Sequence, residues 1–257
     1  LFSPKVSYYS NAGDTRVTLI KKAMLLAAGL GTRMGPLSAN CPKPLIKVLG
    51  KPLINYGFDH CIEYGVRQII VNTHYLSDQI CRHLSNFKRV TTVYEKERLE
   101  TGGGVKNALS HFGQSPFFVI NSDALWVDGP YPALERLAMA WDENRMDALL
   151  LLYPVVRLTS YNGHGDYHVD GTGIARRRTE QEVSPYIFAG VQILHPRLFQ
   201  STPEGAFSLN ALYDQAELVG RLYAQVHDGE WYHVGTPDEL RAVEINISQR
   251  NVRADNR

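Results

Sequence analysis

The sequence predicts an α/β fold in which a mostly parallel sheet lies between layers of helices. Through the first half of the chain, short apolar runs typical of buried strands alternate with segments of helical spacing. This β-α-β-α order favours a parallel sheet with helices on both faces. The 257 residues are 44% hydrophobic and 21% charged, which is a globular composition. One mixed domain is expected rather than two.

The first half supplies five predicted strands and four predicted helices. Strands are predicted over residues 23–28, 68–72, 90–95, 117–121 and 147–153, and helices over residues 53–64, 77–84, 103–112 and 131–143. Ser77 is expected to cap the second of these helices. Ligands of such sheets bind beyond the carboxyl ends of the strands. The loops after Ala28, Glu95 and Asn121 should therefore meet at one crevice.

The second half is expected to extend the same sheet. A glycine-rich segment that alternates around Asp170-Gly171 predicts a hairpin. Further strands are predicted over residues 186–194, 222–226 and 231–234, and helices over residues 209–219 and 237–249. We expect residues 1–20 to form a polar extension and residues 251–257 a frayed tail, with one domain over residues 21–250.

Charge and cysteine content exclude several classes of protein. The formal net charge is +1, so no global field attracts nucleic acid or a membrane surface. Cys41, Cys61 and Cys81 form no C-x-x-C pair, which suits reduced thiols in a cytoplasmic protein. No apolar run approaches the ~20 residues of a membrane span.

The stretch AMLLAAGLGTRMGPLSANCPKPL, residues 23–45, holds a glycine loop directly after the first predicted strand. Gly29, Gly31 and Gly35 are one residue too widely spaced for the G-x-G-x-x-G of dinucleotide-binding loops. The lysine and Ser/Thr of a P-loop are also absent from the required positions. The loop still offers backbone N–H groups without side-chain bulk, and phosphate oxygens need such donors.

Two cations accompany this loop. Arg33 provides a forked donor suited to bridging phosphates, and Lys43 provides a point charge on a backbone stiffened by Pro42 and Pro44. The alternative is a tight strand-to-helix turn with a solvated arginine and lysine. Asp123, in VINSDALW, follows an apolar strand by two residues and should lie at the carboxyl edge of the sheet. A carboxylate there is either a Mg²⁺ ligand or a turn cap.

The motif A-A-G-x-G-T-R-M-x-P-L followed by P-K-P-L resembles the signature of sugar-1-phosphate nucleotidylyltransferases. The resemblance runs from about Lys22 to the final predicted helix. It implies a Rossmann-like fold of the nucleotide-diphospho-sugar transferase type. The implied enzyme joins a nucleoside triphosphate to a sugar 1-phosphate and releases pyrophosphate.

The resemblance also implies roles for particular residues. Arg33 would hold the departing pyrophosphate, Lys43 the phosphates at the reacting centre, and Asp123 a Mg²⁺ ion. Glu95 aligns where relatives read the base, often with glutamine. The expected nucleotide-binding residues are Leu26, Ala27, Ala28, Gly29, Gly31, Thr32, Arg33, Lys43, Glu95, Glu100, Thr101 and Gly102. Sugar-phosphate contacts are expected from Asn121, Gly165, Asp166 and Gly190, although the family's E-K-P segment is missing. Lys106 is expected to be solvated.

His233 departs from the family pattern, because relatives usually carry an aspartate there as a second metal ligand. Imidazole suits softer ions such as Mn²⁺ better than Mg²⁺. Three roles are therefore open to His233: a metal ligand that shifts metal preference, a contact to phosphate or sugar, or a strand residue without a ligand role. We carry the first of these as a prediction.

The segment LETGGG and the compact length resemble the bacterial family members that use UTP and N-acetylmuramate 1-phosphate in peptidoglycan recycling. Members that use GTP and mannose 1-phosphate are the alternative. The acceptor-only carboxylate of Glu95 favours guanine, which offers two adjacent donors. A catalytically silent subunit that binds a nucleotide sugar is a third possibility. A cytoplasmic monomer or small homo-oligomer is expected.

Overall fold

The computed structural model describes residues 19–158 and 161–255, with side chains up to residue 250. The predicted extension over residues 1–20 therefore lies outside the described residues, apart from Leu19 and Ile20. The strands are β1 (Lys22–Leu26), β2 (Lys47–Val48), β3 (Lys51–Pro52), β4 (Gln68–Thr73), β5 (Val90–Tyr94), β6 (Phe117–Asn121), β7 (Ala124–Val127), β8 (Ala148–Pro154), β9 (Tyr167–Val169), β10 (Ala175–Arg177), β11 (Tyr186–Leu194), β12 (Leu222–Val226) and β13 (Glu230–His233). The helices are α1 (Leu53–Tyr64), α2 (Ser77–Leu84), α3 (Glu100–Asn107), α4 (Ala133–Ala140), α5 (Asn210–Leu218) and α6 (Pro237–Asp255).

The main sheet confirms the predicted α/β fold. Strands β6, β1, β4 and β5 lie side by side and are parallel. β11 then pairs antiparallel with β8 along one edge, and with β6 and, at Tyr186, β9 along the other. β12 is parallel to β8, and β10 forms the predicted hairpin with β9. The sheet is therefore mixed, with a parallel half that carries the predicted glycine loop.

Helices cover both faces of the sheet, so its central strands are buried on both sides. Ala23 and Leu25 of β1 pack into one apolar cluster with α1 and α4, while Met24 between them packs into another with α3 and α5. All three side chains are fully buried. This explains why the strands are continuous apolar runs rather than alternating ones.

Two small ribbons lie beyond the carboxyl edge of the parallel strands. β7 pairs antiparallel with β13, which places His233 opposite Ala124. β2 and β3 form a short hairpin after the glycine loop. Neither β7 nor the β2–β3 hairpin was predicted. No helix in the described ranges is long and apolar enough to cross a membrane.

The start of α3 and the cap of α2 differ from the sequence prediction. α3 begins at Glu100 rather than residue 103, because the N–H groups of Gly102 and Gly103 both donate to the carbonyl of Phe207. That distant segment provides the acceptor that a helix start requires. Ser77 does not cap α2: Leu76 occupies the cap position with φ 48°, and the Ser77 hydroxyl contacts the Thr73 hydroxyl at 2.9 Å.

Candidate active site

The glycine loop leaves the carboxyl end of β1 and is held there by its neighbours. The carbonyl of Leu26 accepts from Ser122 N–H at 3.1 Å. The N–H of Ala27 donates to Asn72 Oδ1 at 2.9 Å, at the end of the adjacent strand β4. Ala27 and Ala28 are buried, whereas Gly29, Thr32 and Arg33 are exposed. The loop is thus fixed at its base and open at its tip.

Asn72 joins this loop to Glu95, the residue that follows β5. Its Nδ2 donates to Glu95 Oε1 at 2.7 Å, and Leu99 N–H reaches Glu95 Oε2 at 3.4 Å. Glu95 is only 1% exposed. Both carboxylate oxygens therefore have donors within the chain, and Glu95 acts on the loop through Asn72. A contact from Glu95 to a nucleotide base stays a prediction.

Sequence reasoning missed Asn72, although a signal for it was present. Asn72 is a polar residue near the end of an otherwise apolar strand, as Asn121 is at the end of β6. An amide at that edge can accept from one neighbouring strand's loop and donate to the other's. The same pattern drew attention to β6 but not to β4.

Gly31 brings the loop against Lys43. Its φ of 65° is in the left-handed region, and a Cβ at this position would lie 2.8 Å from the Cβ of Lys43. Only glycine fits such an approach without displacing the lysine. Lys43 begins a short 3₁₀ turn after Pro42, and its side chain is 12% exposed.

Lys43 and Asp123 form an ion pair at the carboxyl edge of the sheet. Lys43 Nζ lies 2.5 Å from Asp123 Oδ2, and the aspartate side chain is 29% exposed. Asp123 stands between β6 and β7, where strand pairing fixes its backbone on both sides. The two predicted residues are 80 positions apart in the chain and in contact in the fold. The close approach of Gly31 to Lys43 joins this pair to the glycine loop.

His233 lies beside this pair. Burial lowers the pKa of His233, while the carboxylates of Glu239 and Asp123 act in the opposite direction. Its Nε2 is 3.8 Å from Glu239 Oε2. The uncharged imidazole keeps a lone pair that could bind a metal. Within residues 19–158 and 161–250, no three His, Cys, Asp or Glu side chains cluster as metal ligands.

The predicted sugar-side residues fall into two places along β11. A Cβ on Gly190, whose φ is 77°, would lie 3.1 Å from Asn121 Nδ2 and 3.2 Å from the Cβ of Ala124. Gly165 and Asp166 lie at the start of β11, where Asp166 Oδ2 accepts from Phe188 N–H at 2.9 Å. Asn121 and Gly190 are therefore close to Asp123, whereas Gly165 and Asp166 lie beside the first residues of β11.

Other segments of the chain pack directly against the glycine run at the start of α3. Besides the bonds to Phe207, Thr101 Oγ1 accepts from Leu209 N–H at 2.9 Å. A Cβ on Gly104 would lie 2.7 Å from Glu95 Oε1, whereas one on Gly29 would meet no atom within 4 Å. The nucleotide contacts expected from Glu100, Thr101 and Gly102 stay predictions.

Lys106 is a structural residue rather than a solvated one. Its Nζ donates to the carbonyls of Thr202 and Pro203 at 3.0 and 2.9 Å and contacts Glu204 Oε1 at 2.6 Å. The expectation of a solvated side chain was wrong, because the segment after β11 folds back over α3. No local sequence pattern indicates this long-range contact.

Comparisons with known proteins agree with this architecture. The family model described as nucleotidyl transferase matches residues 22–250. N-acetylmuramate alpha-1-phosphate uridylyltransferase of Caulobacter vibrioides is 36% identical over 236 residues, covering 89% of this chain and 98% of that protein. Mannose-1-phosphate guanylyltransferase catalytic subunit beta of Danio rerio is 28% identical over 229 residues, covering 85% of this chain and 62% of that protein. The crystal structure of HddC from Yersinia pseudotuberculosis complexed with GMP-PN superposes with a TM-score of 0.70 at 24% identity, covering 89% of this chain and all of that one.

Proposed function

The chain belongs to the nucleotidyl transferase family, and from that premise we propose that it is a sugar-1-phosphate nucleotidylyltransferase that releases pyrophosphate from a nucleoside triphosphate. The observation that carries this proposal is the Lys43–Asp123 pair, 2.5 Å apart beside a glycine loop that touches the same lysine. The loop provides N–H donors for phosphates, the lysine a cation, and the aspartate a metal ligand. Those are the parts that transfer of a nucleotidyl group requires.

In the proposed reaction, an oxygen of the sugar phosphate attacks the α-phosphorus of the triphosphate. The bond from the α-phosphorus to the bridging oxygen breaks, and pyrophosphate leaves with the electron pair. The attacking oxygen is already anionic, so no strong general base is needed. The obstacle is to bring two polyanions together and to stabilise charge at the α-phosphorus. Positioning and electrostatics should therefore supply most of the catalysis.

Lys43 and Arg33 have different surroundings that suit different roles. Lys43 is held by Asp123 and by the turn after Pro42, so its charge has a fixed position. We assign it to the α-phosphate oxygens, where charge develops. Arg33 is exposed at the tip of the loop. We assign it to the departing pyrophosphate, which must be bound and then released.

Asp123 and His233 fit a divalent ion that also takes ligands from the substrates. Glu239 lies 3.8 Å from His233, but no three acidic, histidine or cysteine side chains of the described residues cluster as metal ligands. Mg²⁺ is commonly held by one or two carboxylates together with substrate phosphates. When bound, such an ion would neutralise phosphate charge. We propose Mg²⁺, with Mn²⁺ as the alternative because imidazole is a softer ligand than carboxylate.

We propose UTP and N-acetylmuramate 1-phosphate as the substrates, in cytoplasmic recycling of peptidoglycan. Support comes from the uridylyltransferase of Caulobacter vibrioides, which is 36% identical and matched over 98% of its length. GTP and mannose 1-phosphate are the alternative, supported by the 28% identity to the Danio rerio protein. The sequence argument for guanine rested on Glu95 as an acceptor. It loses weight because Asn72 and Leu99 already donate to that carboxylate.

Release of pyrophosphate across a panel of substrates tests this proposal. We expect turnover with UTP and N-acetylmuramate 1-phosphate, measured with Mg²⁺ and Mn²⁺ in parallel against the other three nucleoside triphosphates and several neutral sugar 1-phosphates. Pyrophosphate release with GTP and mannose 1-phosphate would instead support the alternative substrates. Nucleotide-sugar binding without pyrophosphate release under any condition would instead identify a silent binding subunit, with the histidine at position 233 as its first explanation.

Gly31→Ala is expected to lower kcat/KM by about 10- to 100-fold, because the new Cβ would push on Lys43 and a small misplacement of a catalytic group is costly. Left-handed backbone at alanine should also cost about 1–2 kcal/mol of folding free energy. Steady-state kinetics and thermal unfolding measure both effects.

Gly50→Ala is the matched control for this prediction. Gly50 has φ 80°, and a Cβ there would meet no atom within 4 Å. The Gly50→Ala substitution therefore introduces the same kind of backbone strain without a contact to Lys43. Equal kinetics for the two variants would show that the approach of Gly31 to Lys43 does not matter for turnover.

A further inference from the structure

A cavity of about 340 Å³ lies between the β9–β10 hairpin, the start of β11 and α5. Its walls include Asp166, Arg177, Arg178, Phe188 and Asn210. Its volume is within the range of small-molecule sites. Neither Lys43, Asp123 nor any residue of the glycine loop is among its lining residues.

β11 connects this cavity to the proposed reaction centre. Phe188 lines the cavity, and Gly190, two residues further along the strand, approaches Asn121 and Ala124. β11 is irregular between Phe188 and Gln192, so Phe188 and Gly190 are at most about 7 Å apart along the strand, and Ala124 directly follows Asp123. A sugar whose 1-phosphate is bound near Asp123 can thus place its distant substituents in the cavity.

Three consecutive arginines at the end of the hairpin have different partners. Arg176 pairs with Glu182, at 2.8 and 3.0 Å. Arg177 pairs with both carboxylate oxygens of Asp214, at 2.7 and 2.8 Å. Arg178 instead donates from Nε to the carbonyl of Gly165 at 2.7 Å and from Nη1 to that of Thr179 at 2.9 Å.

Arg178 is therefore held by neutral acceptors. Among the described residues, no carboxylate oxygen lies within the 4.0 Å of an ion pair with it. Its half-buried guanidinium brings a positive charge into the cavity that no acidic group of the described chain neutralises directly. Such a group is suited to bind an anionic oxygen pair of a ligand, since the guanidinium fork matches a carboxylate.

The carbonyl that orients Arg178 is itself fixed. Gly165 has φ 72°, and a Cβ there would collide with the carbonyl oxygen of Ser184. Its N–H donates to the hydroxyl of Tyr161 at 3.1 Å. The guanidinium is consequently positioned before a ligand arrives, which limits the entropy lost on binding.

Two carboxylates in the cavity define what else the ligand must carry. Asp166 and Glu180 also line the walls, so a purely anionic ligand would be repelled by them. Hydroxyl groups can donate to carboxylates. A ligand with several hydroxyls and one anionic substituent could donate to these carboxylates and accept from Arg178.

We propose that Arg178 binds a carboxylate carried by the sugar itself, so that the enzyme selects an acidic sugar 1-phosphate over a neutral one. This inference rests on the proposed function and names the substrate class of that site. N-acetylmuramate 1-phosphate has such a carboxylate on its lactyl ether, and N-acetylglucosamine 1-phosphate lacks it. Both carry the same 1-phosphate, so the pair distinguishes binding of the carboxylate from binding of the phosphate.

The test compares kcat/KM for these two sugar phosphates in Arg178→Gln, with UTP as the second substrate. We expect a loss of about 10- to 100-fold for the acidic sugar, mostly in KM, as for a lost charge-assisted hydrogen bond. The neutral sugar should change less than about threefold. Arg178→Lys should restore part of the loss. Arg176→Gln is the control, since it removes the same charge two residues away outside the cavity.

Equal losses for both sugars would overturn the inference and assign Arg178 to the phosphate or to the hairpin. Turnover of only neutral sugars by the unaltered enzyme would overturn it as well. If the unaltered enzyme releases no pyrophosphate with any sugar, the proposed function fails. Calorimetric titration with N-acetylmuramate then decides the inference separately: binding that is lost in Arg178→Gln supports it, and binding that is unchanged or absent refutes it.

Discussion

Lys43→Ala is expected to lower kcat by about 10²- to 10³-fold, the usual effect of removing one donor that stabilises developing charge. The lysine is 12% exposed and is fixed by its contact to Asp123 and by the turn after Pro42. Its charge is thus positioned before the substrates bind, and water cannot replace it at the same place. Pyrophosphate release under saturating substrates measures the effect.

The fold should survive this change, because a partly exposed ion pair contributes about 1 kcal/mol or less. Thermal unfolding of Lys43→Ala should therefore differ from that of the unaltered protein by only a few degrees. Lys47→Ala is the control, since Lys47 is exposed on β2 four residues away. Near-normal turnover in Lys43→Ala would refute the role assigned to it.

Asp123→Asn is expected to lower kcat by about 10²-fold or more and to weaken binding of Mn²⁺ to the nucleotide complex. Asparagine keeps the shape of the side chain but removes the charge that a hard cation needs. Electron paramagnetic resonance of Mn²⁺, in the presence of a non-hydrolysable UTP analogue, measures metal binding without turnover. Asp238→Asn on α6 is the control, because Asp238 is exposed and pairs with Arg241.

His233→Asp is the second variant in this comparison. If His233 is a metal ligand, a carboxylate there should shift the preference from Mn²⁺ towards Mg²⁺ in both metal binding and turnover. An unchanged metal profile in this variant would remove His233 from the ligand set. Unaltered Mn²⁺ binding in Asp123→Asn would likewise remove Asp123.

The strands and helices with strong periodicity were predicted closely. α1, α2, β6, β11 and β12 have the predicted bounds. The three strands are largely apolar runs, and the two helices have apolar residues at helical spacing. The starts of α3 and α4 were not predicted correctly. The start of α3 depends on the carbonyl of Phe207, and that of α4 on Asp128 Oδ1, which accepts from Ala133 N–H. Partners outside a segment leave no trace in its own periodicity.

The residues of the candidate site likewise divide into those that the sequence indicated and those that it did not. The loop and Asp123 could be found from the sequence because each follows a strand that ends at one edge of the sheet, and Lys43 could be found because it stands between Pro42 and Pro44 after that loop. Asn72 was missed, although it is a polar residue near the end of an apolar strand. Arg178 could not be singled out, since its role depends on its partners. Arg178 follows two other arginines in the sequence. Only the fold shows that those two face acidic side chains and that the third faces carbonyl groups.

The two glycine runs of this chain are expected to have different evolutionary histories. Gly102, Gly103 and Gly104 would each bring a Cβ against another part of the protein, so selection for a folded chain alone suffices to keep them. Gly29 would bring a Cβ against nothing within 4 Å, so the protein itself does not require it. A lineage that no longer used a phosphate-bearing substrate could lose Gly29 by drift. It would still retain Gly102, Gly103 and Gly104.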